Sequence, residues 1–139
     1  MKKSIILILI TFIIATSCTD NTTDCENPDY SNCNGIEPHY GQLNIELTIN
    51  RENTKVPIII YTGKIENNNV YQLDTATSNN YSLTVDINHY YSVQATYKSG
   101  NKTIIAVDGD DVKSKSSSMC DSTCWKVQDG NIDLRLKYD

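Results

Sequence analysis

Residues 91–109 read YSVQATYKSGNKTIIAVDG, and this stretch decides the fold class. Tyr91, Val93, Ala95 and Tyr97 alternate with Ser92, Gln94, Thr96 and Lys98, the period-two signature of a strand with one buried and one wet face. Lys98-Ser99-Gly100-Asn101 is a turn cluster in which Gly100 can take positive φ without a Cβ clash. The chain then resumes as Thr103-Ile104-Ile105-Ala106-Val107, apolar at consecutive positions. That run predicts a strand covered on both faces, central in a packed β domain.

Working outward, Leu43, Ile45, Leu47 and Ile49 alternate with polar residues from Gly41 onward. Val56 to Tyr61 is a second strand, with Pro57 placing an edge or a strand start there because proline cannot donate to a ladder. Short strands follow at 70–74 and 81–87, and Ile132, Leu134, Leu136 and Tyr138 alternate in a final one. With the opening hairpin this makes seven strands and no amphipathic helix of useful length. The expectation is an all-β fold, an antiparallel seven-stranded β-sandwich, Ig-like or prealbumin-like. Lys113 to Ser118 reads as a polar connecting loop.

Ahead of this domain, Lys2 and Lys3 precede an apolar run from Ile5 to Ile14, then Ala15-Thr16-Ser17 and Cys18. The run is far shorter than the roughly 20 residues of a membrane span and reads as a secretion signal. The placement of Cys18 after A-T-S resembles the lipobox of bacterial lipoproteins, although Ala15 stands where Leu is usual. The resemblance implies a signal peptide over 1–17, diacylation of Cys18 and a lipid anchor in the membrane. Thr19, where Asp would imply inner-membrane retention, implies the outer membrane or cell surface. Residues 18–40 are polar and acidic and read as the lipidated cysteine plus a tether, with the domain at 41–139.

The strand order GQLNIELTI, VPIIIY, VYQLDT, YSVQATY and TIIAVDG is similar to prealbumin-like sandwiches, the transthyretin-like and carboxypeptidase-regulatory-like modules of bacterial envelope lipoproteins. That similarity implies a binding or spacing unit and carries no catalytic residue across.

Bulk charge narrows the partners. The formal charge of −5 becomes −7 once Lys2 and Lys3 leave with the signal peptide. The remaining lysines are scattered among acids, so nucleic acid is not an expected partner. Apart from Cys18 there are four cysteines, Cys25, Cys33, Cys120 and Cys124, which in an oxidising envelope predict two disulfides. Four cysteines allow three connectivities. Local pairing, Cys25 with Cys33 and Cys120 with Cys124, is preferred here because short loops meet early; the alternative staples the tether to the late loop, closing a loop of about 90 residues and contributing on the order of 4 kcal/mol. The spacings fit neither a zinc ribbon nor a C-x-x-C redox pair.

Asp108, Asp110 and Asp111 crowd carboxylates that could hold calcium, but the rest of a calcium loop is missing, and a solvated acidic turn is the expected reading. His39 and His89 belong to no nucleophile motif, no cofactor is expected, and the chain does not read as an enzyme. An accessory to a secreted enzyme or a weak hydrolase is the alternative class, and a surface-assembly subunit that uses sheet edges is another. Nine tyrosines against one phenylalanine are the compositional surplus. Tyr81, Tyr91 and Tyr97 fall in phase with core aliphatics. Tyr71 and Tyr90 fall out of phase and are the candidate contacts for a glycan or an envelope protein. Asp74-Thr75-Ala76 and Asp121-Ser122-Thr123 resemble short envelope O-glycosylation signals.

Overall fold

The computed structural model describes Cys25, Ser31 and residues 33–137. The leader over 1–17, Cys18 and Tyr138 lie outside those residues. Eight strands are present: β1 (Tyr40–Glu46), β2 (Val56–Thr62), β3 (Val70–Ala76), β4 (Asn80–Asp86), β5 (His89–Ser99), β6 (Lys102–Met119), β7 (Ser122–Gln128) and β8 (Gly130–Asp133). They form a three-stranded sheet ordered β4-β1-β8 and a five-stranded sheet ordered β3-β2-β5-β6-β7. Each sheet has one apolar face, and the two faces close on each other as a β-sandwich.

The inner face follows the alternation. Leu43 and Ile45 of β1, Ile58 and Ile60 of β2, Val93, Ala95 and Tyr97 of β5, Val112 of β6 and Ile132 of β8 are all buried. Buried tyrosines need a partner for the hydroxyl. Tyr97 Oη donates to the Leu134 carbonyl at 2.9 Å, and Tyr91 Oη donates to the Asp86 carbonyl at 3.0 Å. Pro57 sits at the second position of β2, one residue before pairing with β5 begins at Ile58, so no ladder bond to that neighbour is lost.

Four expectations are corrected. The count is eight strands rather than seven, because Ser122–Gln128 form β7, and residues 113–118, expected as a loop, are the continuation of β6 to Met119 that pairs with it. The pairing is not wholly antiparallel, since β8 runs parallel to β1. The run 103–107 is not covered on both faces. Ile104 and Ala106 pack inward, while Ile105 and Val107 are 59% and 49% exposed on the outer face. Its far edge is also open, since β7 pairs only with residues 113–119.

The fourth correction concerns the cysteines. Cys25 bonds Cys120 and Cys33 bonds Cys124, across sequence separations of 95 and 91 residues. Local pairing fails because the β6–β7 turn and strand direct Cys120 and Cys124 toward the incoming chain instead of toward each other. The stretch read as a tether is fastened to the body at Cys25 and Cys33. From Cys33 it runs along the hairpin: the Trp125 amide donates to the Asn34 carbonyl at 2.8 Å, and Ser114 Oγ donates to Glu37 at 3.1 Å. It then enters β1 past His39, whose carbonyl accepts the Ile87 amide at 3.1 Å.

Candidate functional site

The acidic cluster lies in strand β6, not in a turn, and the pleat divides it. Asp108 and Asp110 face the three-stranded sheet, and Asp111 faces outward opposite Tyr90. Asp108 accepts the Asp133 amide at 2.9 Å, and Asp110 accepts the Asn131 amide at 2.9 Å. Asp129 does the same for the Gln42 amide at 2.8 Å. Two carboxylates of β6 thus take the place of a neighbouring strand along the outer edge of β8 and stitch the two sheets together. Edge amides left bare would offer a template for foreign strands. Asp111 instead pairs with Lys113 at 2.8 Å. Among the described residues, no cluster of three or more His, Cys, Asp or Glu side chains could hold a metal ion.

An open cleft of about 350 Å³ lies on the outer face of the five-stranded sheet, lined by Lys64, Ile65, Glu66, Tyr90, Ser92, Val107, Asp108 and Gly109. Its wall is the β2–β3 connection, which turns at Gly63 (φ 85°) into a short 3-10 turn at Ile65–Asn67. The wall is pinned to β5: the Gly63 amide donates to the Tyr90 carbonyl at 2.7 Å, and Ser92 Oγ donates to the Gly63 carbonyl at 2.7 Å. The floor is equally fixed. A Cβ at Gly109 would meet the Tyr90 ring and the Tyr91 carbonyl at 2.8 Å, so the aromatic ring lies directly on backbone. One aromatic face beside a cation and a carboxylate suits a polar ligand with an apolar side better than it suits a reaction.

From the cleft an apolar strip crosses the outer face. Leu73, Ile59, Gln94 and Val107 stand abreast on four neighbouring strands, with Ile105 one step along β6. Leu73 is 68% exposed. Of the two tyrosines singled out from phase, Tyr90 rims the cleft, whereas Tyr71 lies elsewhere, edge-on to Tyr91 at 5.7 Å beside the β2–β3 bulge. The structure does not bring them into one site. His89 stands edge-on to Tyr91 at 6.3 Å.

At the β3 edge, Tyr81 Oη donates to Asp74 at 2.6 Å, and Gln72 reaches both groups. That hydroxyl contact, followed by the Thr75 amide, holds the Asp74 carboxyl below its usual range. Partial burial, then Asp74 itself, pushes the Tyr81 hydroxyl up to about 12. Tyr91 is also pushed up to about 12, chiefly by burial. Asp133 is held well below the usual range, first by the side-chain hydrogen bonds from Arg135, at 2.8 and 2.9 Å. None of these groups faces the cleft. The glycosylation-like triplets place Thr75 within β3 and Ser122 at the first position of β7, both exposed.

The chain matches no family model, and neither a curated protein nor a solved structure matches it. Sequence reasoning missed Lys64 and Glu66, because a three-residue helical turn bridging two strands has no period to detect. The stitching role of Asp108 and Asp110 was present only as their i, i+2 spacing, which puts both on one strand face.

Proposed function

We propose that this chain is a lipid-anchored module of a bacterial cell envelope, held at the outer membrane or cell surface through Cys18, with a prealbumin-like sandwich serving a binding or spacing role. The observation that carries the reading is the pair of disulfides joining the segment just after the leader to the folded body. Such bonds persist in an oxidising, extracytoplasmic compartment. A non-catalytic role is supported by what the acids are doing: Asp108, Asp110 and Asp129 are engaged with backbone amides. The surface left for a partner is the outer face, with the Tyr90 cleft and the strip of Ile59, Leu73, Ile105 and Val107. A glycan or an envelope protein is the partner class that fits it.

A second reading, a subunit of a surface assembly, is favoured by the open edge of β3, where Val70, Tyr71 and Leu73 are exposed. Palmitate labelling of the intact protein, its loss in Cys18→Ala and accumulation of the uncleaved form under globomycin test the anchor. Absence of label in the wild-type chain refutes it. For the face, soluble chain is compared with Ile105→Lys/Val107→Lys on a glycan array and in capture from envelope extract. Binding that survives the substitutions moves the site away from this face.

A further inference from the structure

Strand β6 is 18 residues long, yet β5 accompanies it only as far as Val112. From Lys113 to Met119 its ladder partner is β7. The hairpin therefore overhangs the sandwich as an arm of seven residues, about 23 Å at the rise of a strand. Its sequence, KSKSSSM paired with STCWKVQ, puts only Trp125 and Val127 on an apolar face, and of the arm's residues only Cys124 is buried, too little to hold such an arm by burial. Both disulfides are instead spent on it, one at the turn (Cys120) and one two residues into β7 (Cys124). The returning segment lies along it through Asn34 and Glu37.

The connectivity sets how far the body can stand from anything attached upstream. Seven residue steps separate Cys18 from Cys25, at most about 25 Å of chain. Were Cys25–Cys120 absent, the first fastening would be Cys33, 15 steps on, or about 50 Å. With neither bond, the chain would be free for the 22 steps to Tyr40, about 75 Å.

We infer that the β6–β7 arm is a rigid strut whose tip, stapled at Cys120, is the membrane-facing end of the molecule. The inference rests on the lipid-anchor reading above and adds an orientation to it. The opposite end, the Gly100 turn with the Asn50–Asn53 loop, lies up to about 55 Å away along β6 and faces outward. The outer face with its cleft is then presented side-on, lifted off the bilayer by the length of the arm. Reduction of Cys25–Cys120 lets the body move away from the surface while it stays folded and anchored.

The single tryptophan, Trp125, lies on this arm and serves as the probe. Lipidated full-length protein is reconstituted in phosphatidylcholine vesicles containing dansyl-headgroup lipid, and energy transfer from Trp125 is measured. Strong transfer is expected for the oxidised protein, with a fall of about twofold or more in Cys25→Ser/Cys120→Ser as the permitted reach doubles. Cys33→Ser/Cys124→Ser keeps the shorter fastening and should keep the transfer. Trp125→Phe/Asn101→Trp, which moves the donor to the far turn, should show little. Far-UV circular dichroism establishes that each variant is folded. Should the first variant fail to fold, the far-turn probe decides, since a donor there that transfers as well as Trp125 overturns the orientation. Vesicle-bound protein whose Trp125 transfer is unchanged on loss of Cys25–Cys120 overturns the strut and leaves the anchor standing. Protein that carries no acyl chain and does not bind vesicles overturns both.

Discussion

The two disulfides close interleaved loops, and the overlap makes their contributions to stability unequal to the sum of two deletions. Taken alone, a bond spanning 95 or 91 residues removes enough unfolded-state entropy to contribute about 4.7 kcal/mol in the loop-closure treatment. Once one bond is in place, however, the second closes only the small ring from Cys25 to Cys33 and from Cys120 to Cys124. That ring holds about a dozen residues and contributes about 3 kcal/mol. Removing either pair as serines should therefore cost about 3 kcal/mol, and removing both about 7.5 kcal/mol, more than twice the single loss. Local bonds between Cys25 and Cys33 and between Cys120 and Cys124 would instead contribute about 2 to 2.6 kcal/mol each and add simply. The assay is urea unfolding of wild type, the two paired variants and the quadruple variant, followed by Trp125 fluorescence and circular dichroism. A stabilising osmolyte is added to all four if the last is marginal. Additive losses, or a single-pair loss as large as the double, refute the overlapping-loop reasoning. Mass spectrometry of non-reduced peptides checks the connectivity independently.

Three further outcomes are expected. Asp108→Ala/Asp110→Ala strands the amides of Asp133 and Asn131 and should cost about 2 to 4 kcal/mol, with concentration-dependent association at the bared β8 edge visible by size-exclusion chromatography. Gly109→Ala forces a methyl against the Tyr90 ring and the Tyr91 carbonyl and should cost about 1 to 3 kcal/mol, read as a shift in urea midpoint. Stability should be flat near neutrality and fall on both sides. The depressed carboxyls of Asp74 and Asp133 contribute stability present above the unfolded value, near pH 4, and lost as pH drops below it. Tyr81 and Tyr91, raised to about 12, contribute stability present below the unfolded value near pH 10 and lost as pH climbs toward 12. Melting temperatures against pH check both limbs, and a profile still flat at pH 3 sinks the acid one.

The sandwich was legible wherever one face of a strand is buried, because burial enforces alternation: Leu43, Ile45, Val93, Ala95 and Tyr97 all point inward as their phase requires. It was illegible in two kinds of place. The run 103–107 looks covered on both sides since Ile105 and Val107 are apolar, but apolar side chains on a surface carry no mark distinguishing them from core. The arm was hidden for the opposite reason. Serines and lysines have low strand propensity, and the turn at Cys120 and Asp121 lacks the Asn-Gly signal of a hairpin. Cys120 takes φ 52° there, a conformation costing a non-glycine residue roughly 1 to 2 kcal/mol. The cysteine arithmetic was readable as four and even, but which sulfur meets which depends on where strands that could not be read would carry them.

The arm and the disulfide pairing are linked physically. A two-stranded hairpin that buries so little apolar surface is marginal on its own in water, so residues 113–128 form an ordered arm only if something outside local propensity holds them. The core holds the base, where Val127 packs within reach of Gly41 and Ser114 meets Glu37 and Asn88. Toward the turn the fastening passes to the disulfides, with the chain from Cys33 onward lying along β7 through Asn34. Covalent bonds replace burial at the end of the fold that has little of it, and the same bonds fix where the N-terminal chain leaves the body. An arm held by burial would keep its shape under reduction. This one should fray from Met119 and Ser122 back toward Val112, so that amide exchange in the arm rises on reduction while β1, β2 and β5 stay protected. Uniform exchange across all strands would instead make the disulfides fasteners of the whole sandwich and the arm no separate unit.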